Sequence, residues 1–260
     1  QPRLIIIRNP SKLQRIKIKI WTMSGRVGSI TTDIISNGLV FNMDAANRAS
    51  TIPSTNTLKT FNTIDLSQSG SITTDATWED GTPPTFAFDG SDGYIDLGNL
   101  TFLNSAVNAS WGFWAKINAD ANQMPITQWD GSNNFFYFYF NGASKIRIAM
   151  NGGFVWSLNS SGLNGLDTWR YYVVTLDGSL STSTERVKVY VNSTEKVNSY
   201  GESGPTALGT ATSNFNIGRR EASGGGFYFN GDLPNLHIYN RTLSSTEVLH
   251  NYNALKGRFE

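Results

Sequence analysis

The stretch WDGSNNFFYFYFNG, Trp129 to Gly142, concentrates side chains that hold sugar rings. Six consecutive aromatics, Phe135 to Phe140, must place three rings on each side of a strand, because strand side chains alternate between faces. One set can fill a core. The other faces outwards or towards a partner. Aromatic faces flanked by Asn hold a pyranose by ring stacking and directed hydrogen bonds. On that reading the ligand-binding candidates are Trp129, Asn133, Asn134, Tyr137, Tyr139, Arg147 and Trp156. The competing reading is that a loop or a neighbouring subunit covers the strand.

Other chemistries find little support. The histidines are His237 and His250, and their spacing builds neither a Ser-His-Asp set nor a metal pair. Both read as surface or packing residues. No glycine-rich phosphate loop follows a strand and opens a helix, and Gly224-Gly225-Gly226 reads as a hairpin loop. The chain has no cysteine, which excludes disulfides and thiolate metal sites. Asn-x-Ser/Thr sequons start at Asn99, Asn108, Asn159, Asn192 and Asn240, as expected by composition in an Asn-, Ser- and Thr-rich chain.

The elements that must position these residues are short and β-rich. Strands are expected near Thr85–Phe88, Gly93–Leu97, Ser110–Ile117, Gln123–Trp129, Phe135–Phe140, Lys145–Met150, Phe154–Leu158, Trp169–Leu176, Arg186–Val191, Thr194–Tyr200, Asn214–Gly218, Phe227–Phe229 and Leu236–Tyr239, with Leu39-Val40-Phe41 before them. Thr51 to Pro84 reads as turn-rich. Asp-Gly and Asn-Gly pairs punctuate the strands. Such spacing without intervening helices predicts an all-β, two-sheet antiparallel sandwich. One helix closes it. Ser244 and Glu247 form a capping box, Val248, Tyr252 and Leu255 form an apolar stripe, and Gly257 is expected at the C′ position.

Of 21 Lys and Arg residues, six fall in residues 1–22, with no acid among them. The remainder has 15 basic against 20 acidic residues, a net of −5, and offers no obvious nucleic-acid surface. Residues 1–35 therefore read as a basic N-terminal arm and 36–260 as the folded domain. The arm is either an extension outside the fold unit or a device that docks on a neighbouring subunit. No apolar run is long enough for a membrane span, and Leu4–Ile7 is too short for a signal-peptide core.

The chain resembles the laminin-G-like, concanavalin A-like jelly-roll family over residues 36–257. The resemblance rests on FDGSDGYIDLG (Phe88 to Gly98), ASWGFWAKINA (Ala109 to Ala119), TWRYYVVTLDG (Thr168 to Gly178), VKVYVNST (Val187 to Thr194), FNIGRR, and the closing strand and helix. It implies a two-sheet jelly roll with a concave face able to hold a glycan, shared by lectins, carbohydrate-binding modules and glycosidases. The catalytic relatives carry a Glu-x-Asp-x-x-Glu strand. None of the seven Glu here, Glu79, Glu185, Glu195, Glu202, Glu221, Glu247 and Glu260, has an Asp two residues on, so no enzyme is expected. Many members bind calcium, for which Asp89, Asp92 and Asp232 are the candidates. The Asp pair usual in the penultimate strand is Pro234-Asn235 here, which weakens that site. The opening LVFNMDAANRAS and the close YNRTLSSTEV…NYNALKGRF resemble tailed-phage virion proteins. The resulting expectation is a non-catalytic virion decoration or fibre protein, folded in the host cytoplasm and carried on the virion surface, with host-glycan adhesion as its use. A free carbohydrate-binding module or lectin, extracellular, is the alternative, and a glycoside hydrolase stands behind both.

Overall fold

A computed structural model describes residues 33–47, 59–61, 69–73, 76–129, 134–142, 145–159, 165–220 and 226–260. The basic arm, residues 1–22, lies outside them, as do Asn133 and Gly224-Gly225. The described residues all fall in one compact unit, Thr32–Glu260.

In chain order the strands are β1 Leu39–Asp44, β2 Lys59–Phe61, β3 Ser69–Ile72, β4 Ala76–Glu79, β5 Thr85–Asp89, β6 Ile95–Asp96, β7 Asn108–Ile117 and β8 Asn122–Trp129. There follow β9 Asn134–Asn141, β10 Lys145–Met150, β11 Gly153–Asn159, β12 Arg170–Asp177, β13 Val187–Val191, β14 Thr194–Lys196, β15 Phe215–Ile217 and β16 Asn230–Tyr239, then helix α1, Ser245–Leu255. The first sheet runs β14-β13-β12-β7-β16-β5-β4, with β1 also paired to β16. The second runs β11-β10-β9-β8-β15-β6-β3-β2. All pairings between these strands are antiparallel, so the two-sheet jelly-roll sandwich with a short C-terminal helix is the fold observed.

Aromatic contacts bind the two sheets together. Trp111 of β7 stacks on Phe136 of β9 at 4.1 Å between ring centroids, nearly parallel. Phe113 meets Phe138 edge-on at 5.2 Å, and Tyr172 of β12 touches both Phe138 and Phe140. Strand alternation sends Phe136, Phe138 and Phe140 inwards together and Tyr137 and Tyr139 to the opposite face. Offset-stacked and edge-to-face pairs add about 0.5–1.5 kcal/mol each beyond the area they bury.

Helix α1 covers the outer face of the first sheet. Trp114, the outward neighbour of Phe113, stacks on Tyr252 at 5.5 Å and on Phe259 at 4.3 Å. Val248, Tyr252 and Leu255 all join this cluster, as the stripe predicts. The capping box is formed, with the Ser244 hydroxyl accepting from the Glu247 N–H and the Glu247 carboxylate accepting from the Ser244 N–H. Glu247 is also held by both terminal nitrogens of Arg241, at 2.7 and 2.9 Å. Buried Asn251 donates to the Tyr239 hydroxyl and accepts from the Ile35 N–H, so the helix ties down the entering chain.

The structure corrects several expectations. Lys59–Phe61, Ser69–Ile72 and Ala76–Glu79 are strands inside the stretch read as turn-rich. They are too short and polar to show apolar alternation. Phe227–Phe229 is not a strand; Phe227 has φ +60° and β16 begins only at Asn230. That strand continues through Pro234, where the register against β7 shifts between Asp232 and Asn235. A bulge is one of the few places a sheet accepts Pro. Gly257 is not a left-handed C′ glycine. The helix runs on into a 3₁₀ turn, Lys256–Arg258, which brings Phe259 onto Trp114. His250 meets the Asp33 carbonyl, and His237 is a packing residue in the core, with Nδ1 2.9 Å from the Asn42 amide oxygen.

Acid should unfold the domain through two groups. Burial pushes the His237 imidazole down to about 4, while Asp44 and Arg258 pull in opposite directions. In the unfolded chain it titrates near 6.5, so the unfolded state takes up the proton first. Its contribution is therefore complete above pH 6.5 and declines as pH falls through 4. The Arg241 guanidinium holds Glu247 down at about 2, so a second decline follows between the ordinary carboxylate range and pH 2. NMR titration should find the His237 ring still neutral at about pH 5.5, and a protonated ring there would refute this. Ser244→Ala should lower stability in urea by about 1 kcal/mol through loss of the cap, and Trp114→Ala by about 3–5 kcal/mol through loss of the ring under the helix.

Candidate functional site

With the aromatic platform around Trp114 on the first sheet covered by α1, the second sheet supplies the candidate surface. Register sets its outward row. Asp96 pairs with Asn216, Asn216 with Thr127, Thr127 with Tyr137, Tyr137 with Ala149, and Ala149 with Phe154. Partners in register share a face, so these residues lie side by side across six strands. The next row adds Tyr139 and Arg147. Around Tyr137 the rings close up, with Trp129 at 5.3 Å and Phe154 at 6.1 Å. Phe227 lies edge-on to Tyr139 at 5.3 Å.

Arginines cap this aromatic cluster. Arg147 lies over Phe154 at 4.5 Å. Arg220 lies over both Trp129 and Phe227, at 4.6 Å each. Alongside, Arg219 stacks on Tyr94 and donates through Nε to the Asn216 amide oxygen at 3.1 Å. Thr127 donates its hydroxyl to the Arg219 carbonyl at 2.8 Å, which anchors this segment to the sheet. Burial pushes the Tyr137 hydroxyl up to about 12, a rise opposed by Arg147 and Arg220. The surface is therefore a floor of tyrosines under a roof of guanidinium and phenyl groups. Asp96 is the one acidic residue on the described strands of this sheet.

A laminin-G-type model of the concanavalin A-like lectin/glucanases superfamily matches residues 89–249. The chain belongs to this superfamily. Among solved structures, a Trypanosoma rangeli sialidase in complex with sialic acid is similar at TM-score 0.59 and 14% identity, over 85% of this chain and 33% of that one. The binding domain of botulinum neurotoxin DC in complex with rat synaptotagmin II is similar at TM-score 0.60 and 13% identity, over 87% of this chain and 52% of that one. The chain thus spans a third to a half of these proteins, and the likeness is one of fold. No curated protein is detectably similar in sequence.

Against this superfamily member's geometry, the sugar-binding expectations divide. Trp129, Tyr137, Tyr139 and Arg147 are brought together. Trp156 is not; it is 1% exposed and belongs to the core. The reason is register, because Arg147 pairs with Ser157, which leaves the adjacent Trp156 facing inwards opposite Ile148. Tyr137 and Tyr139 face outwards, yet only 7% and 8% of each is exposed, because Phe154, Phe227 and the arginines cover them. Asn133 lies outside the described residues; Asn134 is on β9 opposite Trp129, with its side chain outside the description. Sequence reasoning missed Phe154, Arg220 and Phe227. Phe154 and Trp156 have the same parity, yet a bulge between Ile148 and Ala149 turns them to opposite faces.

The calcium candidates Asp89 and Asp232 are each engaged by protein groups. One Asp89 oxygen accepts the backbone N–H groups of Ser91, Asp92 and Gly93, which hold its carboxyl below the usual range. Asp232 pairs with Lys116 at 2.8 Å. Asp92 is exposed in the loop, and among the described residues no group of three or more acidic or histidine side chains could hold a metal. At Pro234-Asn235, the Asn235 side-chain oxygen accepts the Trp114 N–H instead. A separate cavity of about 710 Å³ at the β13–β14 edge holds Glu185 and Glu195. There Glu195 is engaged by Lys188 and by the Tyr190 hydroxyl, each at 3.3 Å.

Calcium and EDTA should therefore each move the melting midpoint by less than about 1 °C, since a ligand stabilises only through binding to the native state. A calcium-dependent rise of several degrees would restore the metal site. Tyr137→Ala should cost about 3 kcal/mol in denaturant unfolding, as expected for a buried ring and not for an exposed sugar platform.

Proposed function

We propose that this domain is a non-catalytic recognition module whose glycan surface is the outer face of the second sheet, around Phe154, Arg147, Trp129 and Arg220. One observation carries the reading. The aromatic platform on the first sheet's outer face is covered by α1, whereas the second presents half-exposed rings and stacked arginines as its outermost groups. Phe154, 41% exposed, is the ring offered to a pyranose face. Asn216 and Thr127 continue the same outward row. A two-carboxylate glycosidase mechanism lacks support on this face, because its described strands carry Asp96 alone.

The setting proposed for the module is the virion surface of a tailed phage, as a decoration or fibre protein used in adhesion to host glycans. Support comes from the sequence likeness of its opening and closing segments and from the basic residues 1–22, a segment suited to docking on another copy or another particle protein. Sedimentation of the full chain should give a stable oligomer that residues 23–260 do not form. A monomer in both cases would count against assembly through the arm.

A glycan array followed by titration calorimetry tests recognition itself. The full chain should bind a defined glycan set, and Phe154→Ala should weaken binding about tenfold or more, or roughly 1.4 kcal/mol, at an unchanged melting midpoint. Release of reducing sugar from the bound glycans would overturn the non-catalytic reading, and the absence of any binding would overturn the glycan reading.

A further inference from the structure

Among the described residues, Arg147 and Arg220 have no counter-ion. Neither makes a hydrogen bond or ion pair with any described residue, and the Nε of each is a buried donor with no acceptor. Elsewhere the guanidinium groups are answered. Arg258 takes Asp44 in a two-point pair at 2.7 and 2.9 Å, Arg241 takes Glu247 likewise, and Arg186 donates to the carbonyls of Leu180 and Gly204. The two exceptions sit in one cluster, on either side of Tyr137, whose hydroxyl feels both charges.

Each is also held in place. Arg147 rests on Phe154, and Arg220 lies against Trp129 and Phe227. A guanidinium stacked on a ring keeps its planar donor edge directed away from the ring and loses less rotational freedom when it binds. Phe227 is fixed by a left-handed backbone at φ +60°, its carbonyl accepting from the Met124 N–H at 2.9 Å. A non-glycine residue in that conformation persists only where its surroundings enforce it. The nearest carboxylate in the outward row, Asp96, is engaged by the Asn214 amide and the Gly98 N–H.

We infer that the outer face of the second sheet selects anionic sugars, with Arg147 and Arg220 receiving a carboxylate or sulfate group while Phe154 packs against the pyranose ring. Planar two-point recognition is the geometry in which Arg meets carboxylates and similar oxyanions. A neutral glycan would leave both cations unanswered. This inference rests on the glycan reading of the same face.

The test uses the full chain and three defined probes: trigalacturonate, a sulfated galactotriose, and neutral galactotriose. Calorimetry at low and moderate salt should show one or both acidic probes binding at least about tenfold tighter than the neutral one, with affinity falling as salt rises. A preference for trigalacturonate over the sulfated probe assigns the pocket to carboxylates, and the reverse to sulfates. Arg147→Gln and Arg220→Gln should each remove most of the acidic preference, read as the ratio of acidic-probe to neutral-probe affinity within the same folded variant. Arg147→Lys, which keeps the charge and loses the fork, should restore only part of it. Equal affinity for all three probes, or an acidic preference that survives the double Gln variant, would overturn the inference and leave the glycan reading standing. Binding to none of the probes, with none on a wider glycan array, would overturn both.

Discussion

The domain depends on one interlock between its sheets, the meeting of Phe136, Phe138 and Phe140 with Trp111, Phe113 and Tyr172. Each sheet contributes rings at alternate positions of a central strand, and close packing tolerates no slip between them. A shift of one residue in β9 would send three phenyl rings to the surface and bury tyrosine hydroxyls. The interlock therefore determines register, and register determines what every outward residue does. Tyr137, Tyr139 and Trp114 are outward because their neighbours are committed inward.

The two outer faces then part company. Trp114 creates an aromatic platform that water would cover poorly, and α1 with Phe259 closes it. The helix is marginal by itself at this length. It is held by the rings, by a cap and by the ion pairs of Arg241 and Arg258. Tyr137 and Tyr139 create a comparable platform on the second sheet, and among the described residues no helix packs on it. Arginine and phenyl side chains from β10, β11 and the segment before β16 roof it instead. A roof of single side chains leaves charged edges outward, and that difference makes this face the candidate for recognition.

The superfamily relationship agrees with this division without settling the ligand. The compared proteins share the sandwich at identities too low to carry over chemistry. The local features of this chain are a proline at the register shift in β16 and guanidinium groups stacked on the outward rings of the second sheet.

Much of the architecture was legible in the residues themselves. Alternation marked most of the long strands, Asp-Gly and Asn-Gly pairs marked the turns, and Ser244, Glu247, Val248, Tyr252 and Leu255 announced a capped helix that must dock. These signals are local, because backbone geometry and side-chain periodicity act over a few residues. The short polar strands Lys59–Phe61 and Ser69–Ile72 were invisible, since pairing with neighbours and not composition makes them strands. The site was half legible. Trp129, Tyr137, Tyr139 and Arg147 could be assembled from one stretch and its neighbour, whereas the exclusion of Trp156 and the arrival of Phe154, Arg220 and Phe227 could not. A bulge in β10–β11 reverses the faces of two residues of like parity, and Phe227 reaches Tyr139 from 88 positions away along the chain. The sequence by itself determined the sandwich, its aromatic core and its closing helix. Only the tertiary structure decided which rings are covered and which cations are left unanswered, because burial and charge pairing belong to contacts between segments that no local pattern connects.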